Sequence, residues 1–273
     1  MDTVDELMLT PSQVECMKHV LGLDSNIEPT LSALRKIVIS FLDRVPFQNL
    51  TMITGPMRRP TWREICNAML SGNGGLCTTR NPFLQVFLSH LGYDVSFVSA
   101  SMNQPNCHIG LLVKLDDLNY WVDVGNGYPY MEPYQIDSES VVSHPFFDYR
   151  IRRLGPNYLV EHRHNHGAWK ENQRFEAKPV PYSFFDEMHE RHYTEVGWGP
   201  FLSGLRANRW TPENSYILRD RTASKMGVQT LIESEYELRA WLKDVFPSAS
   251  FHCKETTTQA WTIFSVREQQ GLN

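Results

Sequence analysis

Apolar residues recur at intervals of three and four in three segments of the N-terminal part, residues 11–21, 30–42 and 61–70. This spacing aligns apolar side chains on one helix face and predicts three amphipathic helices. The third segment begins with Thr61, and Glu64 stands three positions later, which is the pattern of a capping box. The N-terminal part is therefore predicted to be helical.

The pattern changes after Gly92 from helical spacing to short apolar runs separated by turn residues, which predict β-strands. These strands are predicted at residues 93–102, 107–115, 120–125, 147–153, 158–163 and 169–175. Further strands are predicted at residues 216–219, 228–232 and 261–266, and a helix at residues 234–245. Helices, then strands, then a mixed region predict a multi-lobed α+β protein and argue against a doubly wound sheet.

Composition narrows the class of protein. The 273 residues are 41% hydrophobic and 21% charged, which is typical of a globular chain. With 26 basic and 31 acidic residues the net charge is −5, so nucleic acid is not an expected partner. No run approaches the roughly 20 apolar residues of a membrane span, and the first residues lack the apolar core of a signal peptide. We therefore expect a cytoplasmic protein without a membrane partner.

The five cysteines include no CxxC pair, which argues against a disulfide framework or a zinc ribbon and favours a reducing compartment. One of them, Cys77, follows the Gly-rich stretch 71–75 and begins a predicted helix that Gly92 ends. The dipole at a helix N-terminus favours a thiolate. Cys77 is thus a candidate nucleophile, and the alternative is the buried structural role common to free thiols.

A nucleophilic cysteine needs a base, and His108, at the start of an apolar strand, is the best candidate. Asp123 lies in the next predicted strand, where a buried carboxylate requires a partner. A hairpin in which Leu115 faces Tyr120 places His108 and Asp123 on one face of the sheet. In that register they are two same-face steps apart, so contact requires a bulge, strong curvature or a different pairing.

Four short motifs follow one another along the chain: VPFQNL at residues 45–50, GGLCTTRN at 74–81, HIGLLV at 108–113 and WVDVGNG at 121–127. In this order they resemble the motifs of the arylamine N-acetyltransferase family. The resemblance covers nearly the whole chain, from about residue 10 to about residue 265. Each motif is short, and it is their joint order that is specific.

The resemblance implies a papain-like Cys-His-Asp transferase fold of the α+β class. It implies that Cys77, His108 and Asp123 form a catalytic triad. The implied lobes are an N-terminal helical bundle with the cysteine (residues 1–92), a β-barrel with the histidine and aspartate (93–190) and a C-terminal α/β lid (191–273).

The resemblance also implies an acyl-CoA-dependent N-acyltransferase. Acetyl-CoA, or another acyl-CoA, would be a co-substrate and not a permanently bound cofactor, the acceptor would be an aromatic amine or hydrazine, and an acyl-cysteine would link the two steps of a ping-pong reaction. No metal is expected. The segment 124–129 resembles the family's phosphate-facing loop, with an ordinary turn as the alternative. The binding residues predicted are Gly125, Gly127 and Tyr128 for the coenzyme, and Phe47, Met102 and Asn126 for the acceptor.

The chain departs from the family pattern at a few positions. Asn73 replaces an arginine, Thr78 and Thr79 stand where a Glu or Gln is frequent, and Asn126 replaces an aromatic residue of the acceptor pocket. No triad member is lost, so we expect the chemistry to survive and the acceptor to be more polar than an aniline. The alternatives are an amide synthase of the same family, a thiol hydrolase and a non-catalytic binding relative, and the intact triad argues against the last.

Histidines and aromatic residues elsewhere suggest weaker hypotheses. The alternating histidines of residues 162–166 could bind Zn²⁺ from one strand face, but a solvated face is favoured because no Cys or carboxylate set lies nearby. His189 and His192 are expected at the surface. A lobe core is favoured over a roof of the active site for Trp198, Phe201, Trp210 and Tyr216.

Overall fold

The computed structural model describes residues 7–164 and 166–271. Its N-terminal part contains the predicted helices, one further short helix and one short strand. These elements are α1 (Pro11–Leu21), α2 (Leu31–Arg44), β1 (Phe47–Gln48), α3 (Leu50–Ile53), α4 (Trp62–Leu70) and α5 (Cys77–His90). Thr10 caps α1 and Thr61 caps α4, each in a capping box, so the predicted helix starts are confirmed.

An antiparallel sheet of eight strands follows the helices. The strands are β2 (Asp94–Ser101), β3 (His108–Leu115), β4 (Leu118–Val122), β5 (Tyr134–Gln135), β6 (Val142–His144), β7 (Phe147–Leu154), β8 (Asn157–Arg163) and β9 (Lys170–Glu176). Their order in the sheet is β5-β4-β3-β2-β9-β8-β7-β6. Within residues 7–164 and 166–271 the end strands β5 and β6 do not pair with each other, so the predicted barrel is a curled half-barrel.

The interior strand β3 is buried on both faces. Ile109 and Leu111 pack into the core shared with the helices, whereas Leu112 packs into the core of the curled sheet. This double burial explains why the strand is a continuous apolar run without alternation. It also places His108, the first residue of β3, in the buried region between the helices and the sheet.

A second antiparallel sheet, in the order β1-β10-β11-β12-β13, belongs to the C-terminal part. The elements of this part are a 3₁₀ turn (Tyr182–Phe185), α6 (Asp186–Thr194), β10 (Arg206–Trp210), β11 (Ser215–Arg219), β12 (Thr222–Lys225), β13 (Val228–Leu231), α7 (Glu235–Val245) and α8 (Lys254–Gln269). In the structure β1, from the N-terminal part, is a strand of this sheet, and residue 190 lies inside α6. The bounds of the three lobes stay a prediction.

The strand predicted at residues 261–266 is wrong, because these residues belong to α8. Thr257, Ala260 and Phe264 are the buried residues of α8, and their spacing of three and four is that of a helix face. The apolar residues around Trp261 resemble a strand in the sequence, so the helical spacing of the buried residues was not recognised. In the described part of the chain, no helix is both long and apolar enough to cross a membrane.

The hairpin between β3 and β4 has a register two residues tighter than the predicted one. Leu115 faces Leu118, not Tyr120. The reason is a two-residue turn in which Asp116 and Asp117 have φ of 47° and 62°. Turns with two positive φ values match the twist of the flanking strands, and aspartate tolerates them better than most residues.

Candidate active site

Cys77 is the first residue of α5 and is only 4% exposed. The hydroxyl of Thr79 accepts a hydrogen bond from the N–H of Leu76 at 3.1 Å, which stabilises the helix start. The N–H groups of Cys77 and Thr78 lie in the first turn, where an α-helix provides no intrahelical acceptor. The sulfur therefore lies at the positive end of the helix dipole, which favours a thiolate.

Gly125 packs directly on this helix start. A Cβ at position 125 would lie 2.5 Å from Cα and 2.8 Å from Cβ of Cys77, and 2.7 Å from Nδ2 of Asn81. Such distances exclude any side chain unless the backbone moves. The absence of a side chain at Gly125 thus allows the loop after β4 to lie against Cys77.

Replacing Gly125 by alanine should destabilise the protein, because the contacts of the added methyl group are mostly with backbone and Cβ atoms that cannot rotate away. We expect the free energy of unfolding in urea to fall by about 2–3 kcal/mol. Gly199→Ala is the matched control, since its Cβ would meet nothing closer than a ring carbon of Phe201 at 3.8 Å. Equal stability of the two variants would contradict the close packing.

His108 and Asp123 meet in the structure: Nε2 of His108 lies 2.7 Å from Oδ2 of Asp123, and both side chains are buried. In the observed register Asp123 is one same-face step from the position opposite His108, not two. Because β4 ends at Val122, Asp123 is not held in the flat register. Nε2 of His108 is occupied by Asp123, which leaves Nδ1 for Cys77, with which the ring also interacts.

The carboxylate of Asp123 accepts three further hydrogen bonds. Oδ1 accepts from Nδ2 of Asn81 at 2.9 Å and from the N–H of Gly125 at 2.8 Å, and Oδ2 accepts from Nε2 of Gln173 at 3.0 Å. Asn81 is itself oriented, since its Oδ1 accepts from the N–H of Val124 at 3.0 Å. A fully buried carboxylate needs such partners, and these fix its position beside the histidine.

Asn81 and Gln173 were not predicted as site residues. Asn81 carries a signal in the sequence, because it follows Cys77 by four residues and so lies on the same helix face. Gln173 lies on β9, about 50 residues after Asp123, and no local pattern links the two. Gln173 and Asp123 come together only because β9 pairs with β2 in the folded sheet.

Charges determine the protonation of the pair. Burial alone would lower the pKa of His108, but the charge of Asp123, the charge of Cys77 and hydrogen bonds to both raise it well above its ordinary value. Burial alone would raise the pKa of Asp123, but His108 and the hydrogen bonds from Asn81 and Gln173 lower it. An imidazolium therefore faces the sulfur, which favours the thiolate.

Arg80 adds a second positive charge to this buried region. Its side chain is 1% exposed, and its guanidinium carbon lies 5.4 Å from the ring centre of Phe41 and 5.9 Å from that of Phe47. Burial lowers the pKa of Arg80 to about 9, although the charge of Asp123 opposes the shift. The buried carboxylate of Asp123 thus interacts with two cationic groups, the imidazolium of His108 and the guanidinium of Arg80.

The predicted coenzyme-binding residues lie close to this centre. The N–H of Gly125 donates to Asp123, so it is already used and not available to a phosphate. Gly127 has φ of 89°, and its carbonyl accepts from Nδ2 of Asn208 at 3.0 Å and Nε1 of Trp210 at 2.9 Å. Tyr128 is half-buried, and its ring centre lies 4.6 Å from that of His162. Their role toward a coenzyme stays a prediction.

The predicted acceptor residues are not equally placed. Phe47 is buried and packs against Gly127, since a Cβ at position 127 would lie 3.3 Å from the ring of Phe47. Asn126 is half-buried, and its Nδ2 donates to Oδ1 of Asn172 at 2.9 Å. Met102 is exposed, in the turn between β2 and β3. The structure therefore places Phe47 near the cysteine and leaves Met102 at the surface.

Three histidines differ from expectation. His162 is buried against Tyr128 instead of lying on a solvated face. His189 and His192, expected at the surface, are 1% and 4% exposed on the inner face of α6. The many polar residues of α6 indicated a helix at the surface. The sequence did not reveal that the face carrying His189 and His192 is buried.

The segment of residues 182–201, which we call the roof segment, lies over the helix start of α5. The hydroxyl of Tyr193 is 2.8 Å from that of Thr78, next to Cys77. The carbonyl of Trp198 accepts from Nε2 of Gln104, in the turn that leads to His108, at 3.1 Å. Trp198 therefore lies near the site, and so does Phe201, whose ring contacts that of Phe47.

Comparison with known proteins agrees with this architecture. A family model described as N-acetyltransferase matches residues 30–248. An arylamine N-acetyltransferase of Mycolicibacterium smegmatis is 26% identical over 215 residues, 74% of this chain and 78% of that protein. Proansamycin X synthase of Amycolatopsis mediterranei is 27% identical over 196 residues, 67% and 75% of the two chains. The structure of Mycobacterium marinum arylamine N-acetyltransferase in complex with CoA aligns with a TM-score of 0.80, 18% identity and coverage of 92% and 99%.

A helical bundle that opens into a curled half-barrel, with a cysteine at a helix start facing a histidine–aspartate pair, defines the papain-like class of folds. The family match extends over most of the chain and places it among acyltransferases. The chain belongs to the arylamine N-acetyltransferase family, as the order of its four motifs indicated.

Proposed function

We propose that the protein transfers an acyl group from acyl-CoA to an aromatic amine or hydrazine by a ping-pong reaction through an acyl-cysteine at Cys77. The observation that carries this proposal is the position of Cys77, at a helix start beside a histidine whose Nε2 lies 2.7 Å from a fully buried carboxylate. Membership of the family supports the reaction class, and this geometry supports the residue roles.

In the first half-reaction the thiolate of Cys77 attacks the thioester carbonyl. The oxyanion that forms faces the N–H groups of the first turn of α5, which can stabilise it. As the carbonyl re-forms, the carbon–sulfur bond to CoA breaks, and the departing thiolate takes a proton from the imidazolium of His108. Asp123 holds the ring in the orientation that directs Nδ1 to the sulfur. The step ends with an acyl-cysteine, free CoA and a neutral His108.

In the second half-reaction the amine nitrogen attacks the acyl-cysteine. One proton of that nitrogen passes to His108, and the bond from carbon to the sulfur of Cys77 breaks. The amide leaves, and the thiolate and imidazolium are restored. Each proton that His108 gives to CoA is thus replaced by one from the amine, and no further base is needed for the balance.

Three observations support the choice of substrates. The relative from Mycobacterium marinum was solved in complex with CoA, which supports an acyl-CoA donor for this chain. The rings of Phe47 and Phe201 lie edge to face, 6.0 Å apart, beside the loop that packs on Cys77, which supports an aromatic acceptor. Asn126, in that same loop, supports a more polar amine.

The proposal is tested by incubating the protein with acetyl-CoA, quenching in acid and measuring the intact mass and the digest. We expect the mass to increase by one acetyl group, located on Cys77. The matched control is Cys253→Ala, which removes the other cysteine at a helix start; burial is slight there, and Thr256 lowers the pKa of Cys253. That variant should still be acetylated. Absence of an acyl-enzyme with acetyl-CoA and with longer acyl-CoA donors would contradict the proposal.

An amide synthase is the second candidate, supported by the similarity to Proansamycin X synthase and by Asn126 at the aromatic position of the pocket. It would use the same acyl-cysteine but a longer acyl group. A panel of acyl-CoA donors of increasing length separates the two: a transferase should form the acyl-enzyme fastest with acetyl-CoA. A preference for long chains would favour the synthase.

A further inference from the structure

The inner face of α6 carries histidine and tyrosine side chains that the proposed chemistry does not use. The buried residues of this helix, spaced as one helix face, are Met188, His189, His192 and Tyr193. The hydroxyl of Tyr193 contacts that of Thr78, whereas both ring nitrogens of His189 and Nε2 of His192 are buried without a hydrogen-bond partner in the described residues. This face of α6 therefore carries three ring nitrogens that make no hydrogen bond within residues 7–164 and 166–271.

His192 is the member of this face that lies beside the base of the proposed reaction. It is close enough to His108 for the two charges to repel each other. Its ring packs against Trp198 and Phe201, with centroid distances of 5.7 and 5.3 Å. Phe201 in turn contacts Phe47, which lies against the loop that packs on Cys77. His192 thus closes an aromatic enclosure beside the catalytic residues.

The imidazole of His192 is neutral and has an unused nitrogen. Burial and the repulsion from His108 lower the pKa of His192 to about 3. Its Nε2 is buried and has no hydrogen-bond partner within residues 7–164 and 166–271. A buried polar atom without a partner is costly, and this one lies among aromatic rings suited to an aryl group.

We propose that Nε2 of His192, in the tautomer that carries its proton on Nδ1, accepts a hydrogen bond from the N–H that the acceptor amine keeps in the amide product. A primary amine has two N–H bonds: one proton passes to His108, and the other remains in the amide. An acceptor atom at His192 orients the second N–H and leaves the lone pair free to attack, whereas a donor there would bind the lone pair. His192 is then a specificity-determining residue for primary amines, an inference that rests on the proposed function.

The test separates the two half-reactions in His192→Phe, which keeps an aromatic ring without a nitrogen, and in His192→Gln, which keeps a polar group at the position of Nε2. Acetyl-Cys77 is prepared from acetyl-CoA, and its deacylation by aniline and by N-methylaniline is measured. In His192→Phe we expect aniline to react roughly tenfold more slowly and N-methylaniline, which keeps no N–H, at an unchanged rate. In His192→Gln the aniline rate should recover most of this loss.

The outcomes distinguish this inference from the function on which it rests. If His192→Phe slows both amines equally, or neither, the hydrogen bond is overturned. If His192→Phe does not fold, His192→Gln decides: loss of the preference for aniline over N-methylaniline overturns the inference, and its retention supports it. If the wild-type protein forms no acyl-enzyme, the proposed function fails first, and the inference fails with it. CoA release in the first half-reaction is measured in both variants, and deacylation is compared as the ratio of the aniline rate to the N-methylaniline rate, in which any change at the triad cancels.

Discussion

Replacing Cys77 by alanine should leave a folded protein that takes up no acetyl group from acetyl-CoA. The sulfur is the only atom of the proposed site that forms the covalent bond, so no neighbour can replace it. We expect kcat/KM for acetyl transfer to fall by at least about 10⁴-fold. Removal of one buried sulfur should lower the free energy of unfolding by only about 1 kcal/mol, because the helix cap depends on Thr79 and not on the thiol.

The comparison that makes this result specific is Cys107→Ala. Cys107 is half-buried and precedes His108, so it is the thiol nearest to His108 along the chain. Since successive residues of a strand point to opposite faces, its removal should leave acetylation intact. Label that persists in Cys77→Ala and disappears in Cys107→Ala would show that the nucleophile has been assigned to the wrong residue.

The parts of this site that could be predicted from sequence are those that local physics determines. The cysteine at a helix start follows from a Gly-rich stretch before a helical period, and the capping box of α4 follows from two residues. A polar residue inside an apolar strand, such as Asp123, signals that a partner exists. These signals lie within short windows, so the sequence alone is sufficient to find them.

The parts that could not be predicted depend on tertiary closure or on turn chemistry. Asp116 and Asp117 shorten the β3–β4 hairpin by a positive-φ turn that the composition of the loop did not reveal. Gln173 reaches the carboxylate only because β9 pairs with β2. α6 reads as a surface helix because its outward residues are charged, and only the packing of the roof segment shows that His192 is buried.

Replacing Asp123 by asparagine should nearly abolish acylation of Cys77 while keeping the shape of the side chain. Each carboxylate oxygen accepts two hydrogen bonds, one pair from Asn81 and Gly125 and the other from His108 and Gln173. Asparagine has an NH₂ group in place of one carboxylate oxygen. Whichever way the amide is turned, this NH₂ group faces two hydrogen-bond donors and cannot accept from either. We expect kcat/KM to fall roughly 10³- to 10⁴-fold and the free energy of unfolding to fall by about 2–3 kcal/mol.

The pH dependence of acylation identifies the cause of this loss. The charge of Asp123 is the main influence that raises the pKa of His108 against the effect of burial, so in Asp123→Asn that pKa should fall. A histidine with a raised pKa stays protonated as the pH rises to that pKa; in the variant the imidazolium is therefore lost at lower pH, and the alkaline fall of the acylation rate should move to lower pH. Asp148→Asn, which removes a carboxylate paired with Arg163 at 2.9 Å in the same sheet, should change neither the rate nor the profile. An unshifted profile in Asp123→Asn would mean that Asp123 only positions the ring, because a purely steric role does not change the proton affinity of His108.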